Sequence, residues 1–134
     1  MRLRLAISIV TWILIAASAF GADINGVWAG QQEGRNGQKD DVAFVLKSDG
    51  GRLTGKLLGD EFDIAIGEGS LTGDQIRFTV TTSNYYSGRK STDVYSGTVK
   101  GAEIELIRER VQSPEDKSAN RPPFKQTLRL KRLA

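Results

Sequence analysis

The stretch GSLTGDQIRF, residues 69–78, decides the fold, because its pattern returns 28 residues later as GTVKGAEIEL, residues 97–106. The shared pattern is G-x-[LV]-x-G-x-x-I-x-[FL], and its first half also occurs as GRLTG at residues 51–55. Each full copy predicts the end of one strand, a tight turn at Gly73 or Gly101, and the start of the next strand. Duplication and independent selection of the same hairpin chemistry explain the repeat equally well. Either origin predicts antiparallel hairpins.

Apolar residues elsewhere alternate with polar ones at a period of two, which is typical of half-buried strands. No stretch of the chain beyond residue 22 shows helical periodicity. The alternating sets are Val42, Phe44 and Leu46; Phe62, Ile64 and Ile66; Ile76, Phe78 and Val80; Ile104 and Leu106; and Phe124, Leu128 and Leu130.

These sets and the glycine-bearing turns between them predict eight strands: Ile24–Gln31, Asp41–Ser48, Arg52–Leu58, Phe62–Leu71, Gln75–Thr82, Thr92–Lys100, Glu103–Arg110 and Phe124–Arg132. The fourth should break near Gly67 to Gly69, because two glycines there favour a bulge. The fold class is therefore all-β, an antiparallel up-and-down meander. A closed or nearly closed barrel is favoured because closure removes the sheet edges, and a flattened two-sheet sandwich is the alternative.

The predicted inward row of this barrel is rich in large rings. It contains Phe44, Phe62, Phe78, Tyr95, Leu106 and Phe124. An eight-stranded barrel has just enough interior for such side chains. We therefore expect little cavity, and recognition on the loops.

The first 22 residues have the layout of a secretory signal peptide. Arg2 and Arg4 precede an apolar run from Leu5 to Phe20, and Ala17-Ser18-Ala19 supplies a cleavage pattern. Cleavage is expected after Ala19 or after Gly21, and an uncleaved membrane anchor is the alternative. We expect a single domain over residues 23–134, exported to the periplasm or the medium, with no stable membrane insertion after cleavage.

Charge is unevenly distributed along the 134 residues. The 19 basic and 16 acidic residues give +3. Without Arg2 and Arg4 the balance is 17 against 16, or +1, so nucleic acid is not an expected partner. Residues 23–107 carry 9 basic and 13 acidic groups, and residues 108–134 carry 8 and 3. We expect the two segments to pair across a closed sheet, with a functional basic patch as the alternative.

The sequence contains no cysteine and no histidine. This excludes disulfides, thiol or imidazole catalysis and the usual zinc sites. The strand carboxylates Glu61, Asp63, Glu103 and Glu105 alternate with apolar residues and should face solvent, so they do not predict a glycosidase-type pair. We expect no enzyme activity, no cofactor and no metal.

Gly26-Val27-Trp28 near the start and Arg129, Lys131 and Arg132 near the end resemble the calycin superfamily, the lipocalins and avidins. The likeness to avidins includes GRLTG at residues 51–55 and Tyr95-Ser96-Gly97, and the chain is closer still to small secreted bacterial domains built on the same hairpins. The resemblance implies a barrel in which Trp28 packs against a basic side chain of the last strand. It gives structural roles to Gly26, Trp28 and Arg129, and the hairpin pattern gives structural roles to Gly73 and Gly101. Biotin binding is not implied, since Tyr95 stands where a stacking tryptophan would be.

The polar loop from Thr81 to Thr92 is the best binding candidate from the sequence. Asn84, Tyr85 and Tyr86 offer an amide and two rings for a small molecule, a glycan or an envelope protein, although one ring could instead fold over the core. Tyr95 lies beside this loop in the next strand.

Two arginines form a second candidate. Arg108 and Arg110 continue the inward row of Ile104 and Leu106, where an anionic ligand could meet them. The favoured interpretation is that they pair with a carboxylate such as Glu109 or Glu61, or mark where the strand leaves the barrel. The favoured function is a non-catalytic binding module, and the alternative is an envelope structural or inhibitor-type protein with a solid core that engages a protein partner.

Overall fold

The computed structural model describes residues 23–33, 37–83, 86–111 and 125–133. In this part of the chain, nine β-strands are present: β1 (Gly26–Glu33), β2 (Lys39–Asp49), β3 (Arg52–Leu57), β4 (Ile64–Ala65), β5 (Gly67–Thr72), β6 (Gln75–Ser83), β7 (Lys90–Lys100), β8 (Glu103–Val111) and β9 (Lys125–Arg132). These ranges contain no helix of the length and apolarity needed to cross a membrane. The predicted signal peptide lies outside the described residues.

The strands form a closed antiparallel barrel. The sheet order is β2-β1-β9-β8-β7-β6-β5-β3-β4, and an additional pairing between β2 and β3 closes the ring. Eight strands make the wall, and the two-residue β4 is an extra strand paired with β3. The predicted up-and-down meander is confirmed, and the barrel is confirmed over the sandwich.

The fourth predicted strand is divided into β4 and β5. The register between β5 and β6 shifts between Gly67 and Ser70, and Glu68 has a positive φ of 45°. A bulge here bends the strand, so that β4 pairs with one part of β3 and β5 with another. The predicted break near Gly67 to Gly69 is confirmed.

The two glycines of the repeated pattern have different physical roles. Gly73 and Gly101 occupy the turns with φ of 61° and 62°, a conformation that L side chains rarely adopt. The first glycine of the second copy, Gly97, has ordinary φ, but a Cβ there would lie 1.8 Å from the carbonyl oxygen of Glu105. The turn glycine therefore sets the hairpin, and Gly97 permits close approach of β7 and β8.

Large apolar side chains fill the middle of the barrel. Phe44 meets Phe78 and Tyr95 edge to face, with ring centroids 5.2 and 5.4 Å away, and Phe78 stacks on Tyr95 at 4.9 Å. Aromatic pairs in these geometries add stabilisation beyond the area they bury. Leu106 is also fully buried. These four inward positions are confirmed.

The prediction that Phe62 faces inward is wrong. Its side chain is 71% exposed. The strand begins at Ile64, and Phe62 lies in the connection before it. Asp63 holds this connection by accepting the N–H of Gly59 at 3.2 Å and pairing with Lys56 at 3.1 Å. Period-two alternation does not continue into such a turn. Phe124 lies outside the described residues.

The strand connections divide the barrel into two unlike ends. We call the turn end the one with the short turns at residues 50–51, 73–74 and 101–102. We call the loop end the one that receives the four longer connections, at residues 34–38, 58–63, 84–89 and 112–124. Because neighbouring strands are antiparallel, the connections alternate strictly between these ends.

Trp28 closes the turn end. It is fully buried, its indole N–H donates to the carbonyl of Ile24 at 2.9 Å, and the Arg132 guanidinium lies 4.6 Å above its ring. Arg132 also donates to the backbone carbonyls of Asn25, at 2.9 Å, and Asp23. The predicted packing of Trp28 against a basic residue of the last strand is confirmed, and that residue is Arg132.

Arg129 lies on the outer wall instead. Its guanidinium is 3.2 Å from Glu105, which also accepts from Lys100 at 2.8 Å. The register places Glu103 opposite Lys131 and Glu109 opposite Lys125. The Arg129–Glu105 pair thus joins the predicted negative and positive segments between β8 and β9.

Candidate functional site

The barrel interior becomes polar toward the loop end. Gln32, Asp93, Arg108, Arg110 and Gln126 occupy inward positions there, and we call these five residues the polar layer. Asp93 precedes buried Tyr95 by two residues, and Arg108 follows buried Leu106 by two. Period two therefore places these side chains above the aromatic middle of the barrel, on the same inner face.

One carboxylate joins the two arginines of the polar layer. The Nε–H of Arg108 donates to Oδ2 of Asp93 at 2.9 Å, and the Nε–H of Arg110 donates to Oδ1 at 3.0 Å. The side chains of Asp93 and Arg108 are 10% and 12% exposed, and that of Arg110 is 30% exposed. Charge-assisted bonds of this kind are stronger than neutral ones, particularly away from bulk water. The cluster is a rigid, partly buried group with two positive charges and one negative charge.

The hairpin register produces this cluster. Across β7 and β8, Asp93 lies opposite Arg110, and Tyr95 lies opposite Arg108. Arg108 therefore reaches Asp93 diagonally, over a separation that a long side chain spans. The sequence prediction that the arginines pair with a carboxylate is confirmed, but the partner is Asp93. Glu109 points to the opposite face of β8, and Glu61 lies in the exposed connection before β4.

Tyr95 links the aromatic middle to the polar layer. Its ring is 1% exposed, and its hydroxyl donates to Oε1 of Gln32 at 3.2 Å. Burial raises the pKa of Tyr95 to about 12, since desolvation disfavours the phenolate. The hydroxyl is a neutral donor at ordinary pH, and the ring is part of the core.

Arg108 also spans the two strands where the barrel wall separates. Strands β1 and β9 pair from Trp28↔Arg132 to Gly30↔Leu130 and no further. Beyond that point, Nη1 of Arg108 lies 3.5 Å from both the carbonyl oxygen of Glu33 and Oε1 of Gln126. A solvent-open groove of about 320 Å³ occupies the separation, lined by residues 31–33, 39 and 126–129.

The loop end also carries exposed apolar side chains. In the described part of the chain, six large hydrophobic residues are exposed, and four of them lie at this end: Leu58, Phe62, Tyr86 and Val111. We call these four residues the apolar rim. Tyr86 is 95% exposed, whereas Asn84 and Tyr85 lie outside the described residues. Exposed apolar groups around a polar centre are typical of contact surfaces.

The carboxylates near this end serve structural roles. Donation from Lys56, and then from the N–H of Gly59, lowers the pKa of Asp63. Within the described ranges, no three Asp or Glu residues are grouped closely enough to hold a metal ion.

Comparisons of the chain with protein-family models, with curated proteins and with solved structures found no match. The barrel is therefore described from its own strand pairing. Sequence reasoning found Tyr86, Arg108 and Arg110 but missed Asp93, Gln32 and Gln126. Counting the register back from the turn at Gly101 would have placed Asp93 opposite Arg110.

Proposed function

We propose that this protein is an exported, non-catalytic binding module of calycin-like architecture. It recognises a small molecule, a glycan or a protein through the loop end of the barrel. The observation that supports this most directly is the asymmetry of the two ends. Short turns and Trp28 occupy one end, whereas four longer connections, the polar layer and the apolar rim occupy the other.

The packing of the interior favours recognition at the end of the barrel rather than deep inside it. Phe44, Phe78 and Tyr95 contact one another across the middle, and each is at most 1% exposed. A ligand that entered deeply would have to displace these rings, and displaced core packing costs several kcal/mol. Contact with the loops and the polar layer carries no such cost.

The packed interior also supports the alternative, an envelope structural or inhibitor-type protein that engages a protein partner. A solid barrel is a rigid support for loops that insert into another protein. The two functions differ in what the loop end captures: a small molecule or glycan in the first case, and a protein in the second.

A non-catalytic role is favoured by the residue types of the whole chain. Without cysteine or histidine, general acid–base chemistry would depend on carboxylates, lysine or tyrosine. Asp93 is already bound by two arginines, and Asp63 by Lys56. Export is supported by the layout of residues 1–22, and the calycin likeness by Trp28 and Arg132.

The test immobilises the purified protein and exposes it to the envelope fraction and the medium of the cells that produce it. Mass spectrometry then identifies the proteins, glycans and small molecules that it captures. The Tyr85→Ala/Tyr86→Ala double variant changes the loop end. Leu133→Ala, 53% exposed at the turn end, is the control. We expect the double variant to lose capture and the control to keep it.

Denaturant melts separate a binding defect from a folding defect. The double variant should unfold within about 1 kcal/mol of the parent chain, since changes at exposed positions are small. If it loses several kcal/mol of stability while capture per folded molecule is unchanged, the tyrosines cover the core and the loop is not the binding surface.

Export is tested by N-terminal sequencing of the exported protein. The first residue found should be Phe20 or Ala22.

A further inference from the structure

We propose that the backbone edge of β9, where β9 separates from β1 at the loop end, pairs with an extended peptide segment of a protein partner. The segment would add a strand to the barrel wall. We call the separation between residues 31–33 of β1 and residues 125–129 of β9 the split. The inference rests on the proposed function and deepens it, because it names the class of partner and the part of the loop end that holds it.

The two walls of the split are strands that no longer pair with each other. β1 stays paired with β2 up to its last residue, and β9 is paired with β8 from its first residue. Pairing between β1 and β9 stops at Gly30↔Leu130. The backbones lie very close there, because a Cβ on Gly30 would collide with the carbonyl oxygen of Arg129. Beyond that point each strand keeps one neighbour and lacks the other.

Backbone alternation decides which groups of β9 face the split. In an antiparallel sheet, successive residues present their N–H and C=O groups to opposite neighbours. The N–H of Leu133 donates to the carbonyl of Val27 in β1 at 2.8 Å, whereas the N–H of Arg132 donates to the turn before β8 at 2.9 Å. Odd-numbered residues of β9 therefore face β1. Lys125 and Thr127 direct their N–H and C=O groups into the split, and no strand of the described ranges pairs with them.

The same pair of strands is closed at the turn end. There the bond between Leu133 and Val27 extends the ladder, and Arg132 donates across the seam to the carbonyl of Asn25 at 2.9 Å. The seam opens only toward the end with the longer connections, where a groove of about 320 Å³ lies between the strands. The open edge and the proposed recognition surface therefore coincide.

The edge of β9 is better suited to a new strand than the edge of β1. On β1, the carbonyl oxygen of Glu33 already has Nη1 of Arg108 at 3.5 Å. On β9, the backbone is held in strand geometry by its full pairing with β8, and Leu128 anchors it in the core. The Thr127 side chain lies on the exposed face. A preformed edge of this kind costs little ordering when a peptide binds.

The spacing of the open groups favours a peptide over other ligands. Lys125 and Thr127 are two residues apart, about 7 Å along a strand, and each offers one donor and one acceptor. Another extended backbone presents donor and acceptor pairs with this same repeat, which is the basis of strand addition. Inward side chains of the added strand would lie beside the amide of Gln126, so we expect hydroxyl or amide groups there.

The first measurement needs no ligand. In the purified protein, the N–H of Thr127 should exchange with solvent at least about tenfold faster than the N–H of Leu128, which faces β8. Hydrogen exchange followed by NMR gives both rates. Equal protection of the two amides would show that the edge is already covered, and it would overturn the proposal.

The peptide probe is acetyl-Val-Thr-Val-Thr-Val-amide, with valines placed to pair with β9 and threonines placed to point inward. Two isomers carry two N-methyl groups each, one at the third and fifth residues and the other at the second and fourth. The first isomer blocks the donors that face β9 and should bind at least about tenfold more weakly than the parent peptide. The second blocks the opposite edge. Chemical-shift titration measures the affinities, and bound parent peptide should slow the exchange of the Thr127 N–H.

Variants of the chain assign the binding to the edge. Thr127→Pro removes an N–H that makes no bond within the described residues, and proline is tolerated at such edge positions. It should bind the peptide at least about tenfold more weakly than Thr127→Val, which alters the side chain and keeps the N–H. Leu133→Ala, at the turn end, should bind as the parent protein does. If Thr127→Pro fails to fold, the two N-methylated isomers still test the backbone contact.

Two further probes represent the other ligand classes: N-acetylvalinamide, which has the same groups without the repeat, and chitotetraose, a neutral glycan. If either binds as tightly as the peptide, or if both N-methylated isomers bind like the parent peptide, the proposal is overturned. Weaker binding of one or both isomers supports it. If the tyrosine variant abolishes capture from the envelope fraction while Thr127→Pro does not, the loop-end function stands and the edge site fails. If neither variant affects capture, both fail.

Discussion

The two ends of this barrel both place arginine inside, and they use it differently. At the turn end, Arg132 lies over Trp28 and donates to two backbone carbonyls, so these two residues close that end of the barrel. We call Trp28 and Arg132 the floor. At the loop end, Arg108 and Arg110 share the one carboxylate of Asp93. The arginine of the turn end donates to neutral backbone groups, whereas the two arginines of the polar layer are joined through a shared carboxylate.

The difference shows how one fold separates stability from recognition. Two-residue turns and a buried indole make the turn end rigid, and its polar groups have neutral backbone partners. The loop end concentrates longer connections, charged side chains and exposed rings, which are the features that binding surfaces use. We therefore expect substitutions at the turn end to change folding, and substitutions at the rim of the loop end to change binding.

The largest expected effect is at the floor. Trp28→Ala should destabilise the protein by about 3–5 kcal/mol, as other large-to-small aromatic core changes do, and it also leaves Arg132 without the ring beneath it. Denaturant melts followed by circular dichroism measure the change. A loss below about 1 kcal/mol would contradict the floor role of Trp28.

Emission of Trp28 in the protein cleaved after Ala19 or Gly21 gives an independent check, because the other tryptophan, Trp12, leaves with the signal peptide. The native spectrum should be blue-shifted and should move to the red on unfolding, since the indole is fully buried. A spectrum typical of exposed indole in the folded protein would also count against the placement.

The next effect is at the centre of the polar layer. Asp93→Asn removes the negative charge that contacts both arginines, and breaking a buried pair in this way is strongly destabilising. Since Asp93 and Arg108 retain slight exposure, we expect about 3 kcal/mol, the lower part of the usual range. Denaturant melts give the value.

A double variant tests the cause. Adding Arg110→Gln to Asp93→Asn removes one of the two positive charges that contact Asp93 in the parent protein, so part of the lost stability should return. Additive losses would mean that the arginines do not repel each other in the absence of Asp93, and that the cluster is not electrostatically coupled.

Much of the fold could be predicted because two local rules agree along the chain. The repeated turns at Gly73 and Gly101 fix hairpin register, and period-two alternation fixes which face is buried. The rules failed at Phe62, where alternation continues in sequence but the backbone turns around Asp63. Pattern alone cannot detect that a side-chain hydrogen bond in the preceding connection delays the start of a strand.

The candidate site was less predictable for a related reason. Arg108 and Arg110 stood out as charges in an inward row, but their partner depends on which residues the hairpin brings opposite. Asp93 is 15 and 17 residues from the two arginines in sequence. Gln32 and Gln126 come from strands that become neighbours only when the barrel closes, and no local pattern indicates such contacts.

A smaller effect is expected where the aromatic middle meets the polar layer. Tyr95→Phe removes the hydrogen bond to Gln32 and keeps the ring stack, so it should cost about 1 kcal/mol at neutral pH. The folded-state pKa of about 12 lies above the ordinary tyrosine value of 10.0. The stabilisation from neutral Tyr95 is therefore complete below about pH 10 and is lost as the pH rises toward 12.

Comparing the two chains over this alkaline range isolates Tyr95 from other titrating groups. The stability difference between the parent chain and Tyr95→Phe should shrink or reverse above pH 10, the ordinary pKa of a tyrosine phenol. A difference that stays constant up to pH 12 would show that the hydroxyl titrates without a penalty from burial.

The smallest effect is expected on the outer wall, where Glu105 repeats the arrangement of Asp93. One carboxylate again lies between two cations, Lys100 at 2.8 Å and Arg129 at 3.2 Å, but its side chain is 34% exposed against 10% for Asp93. Exposed pairs are screened by water and salt and contribute little. Glu105→Gln should therefore destabilise the protein much less than Asp93→Asn does.

Acid titration sharpens this last comparison. The hydrogen bond from Lys100, the largest cause, lowers the pKa of Glu105 below its usual value. Its contribution is therefore present above the unfolded-state pKa and is lost as the pH falls through the lower folded-state value. The parent protein should therefore lose a small amount of folding stability at acid pH that Glu105→Gln does not lose. Added salt should reduce this loss in the parent protein as well. If Glu105→Gln costs as much as Asp93→Asn at neutral pH, burial is not what makes the polar layer special, and the contrast between inner and outer clusters is wrong.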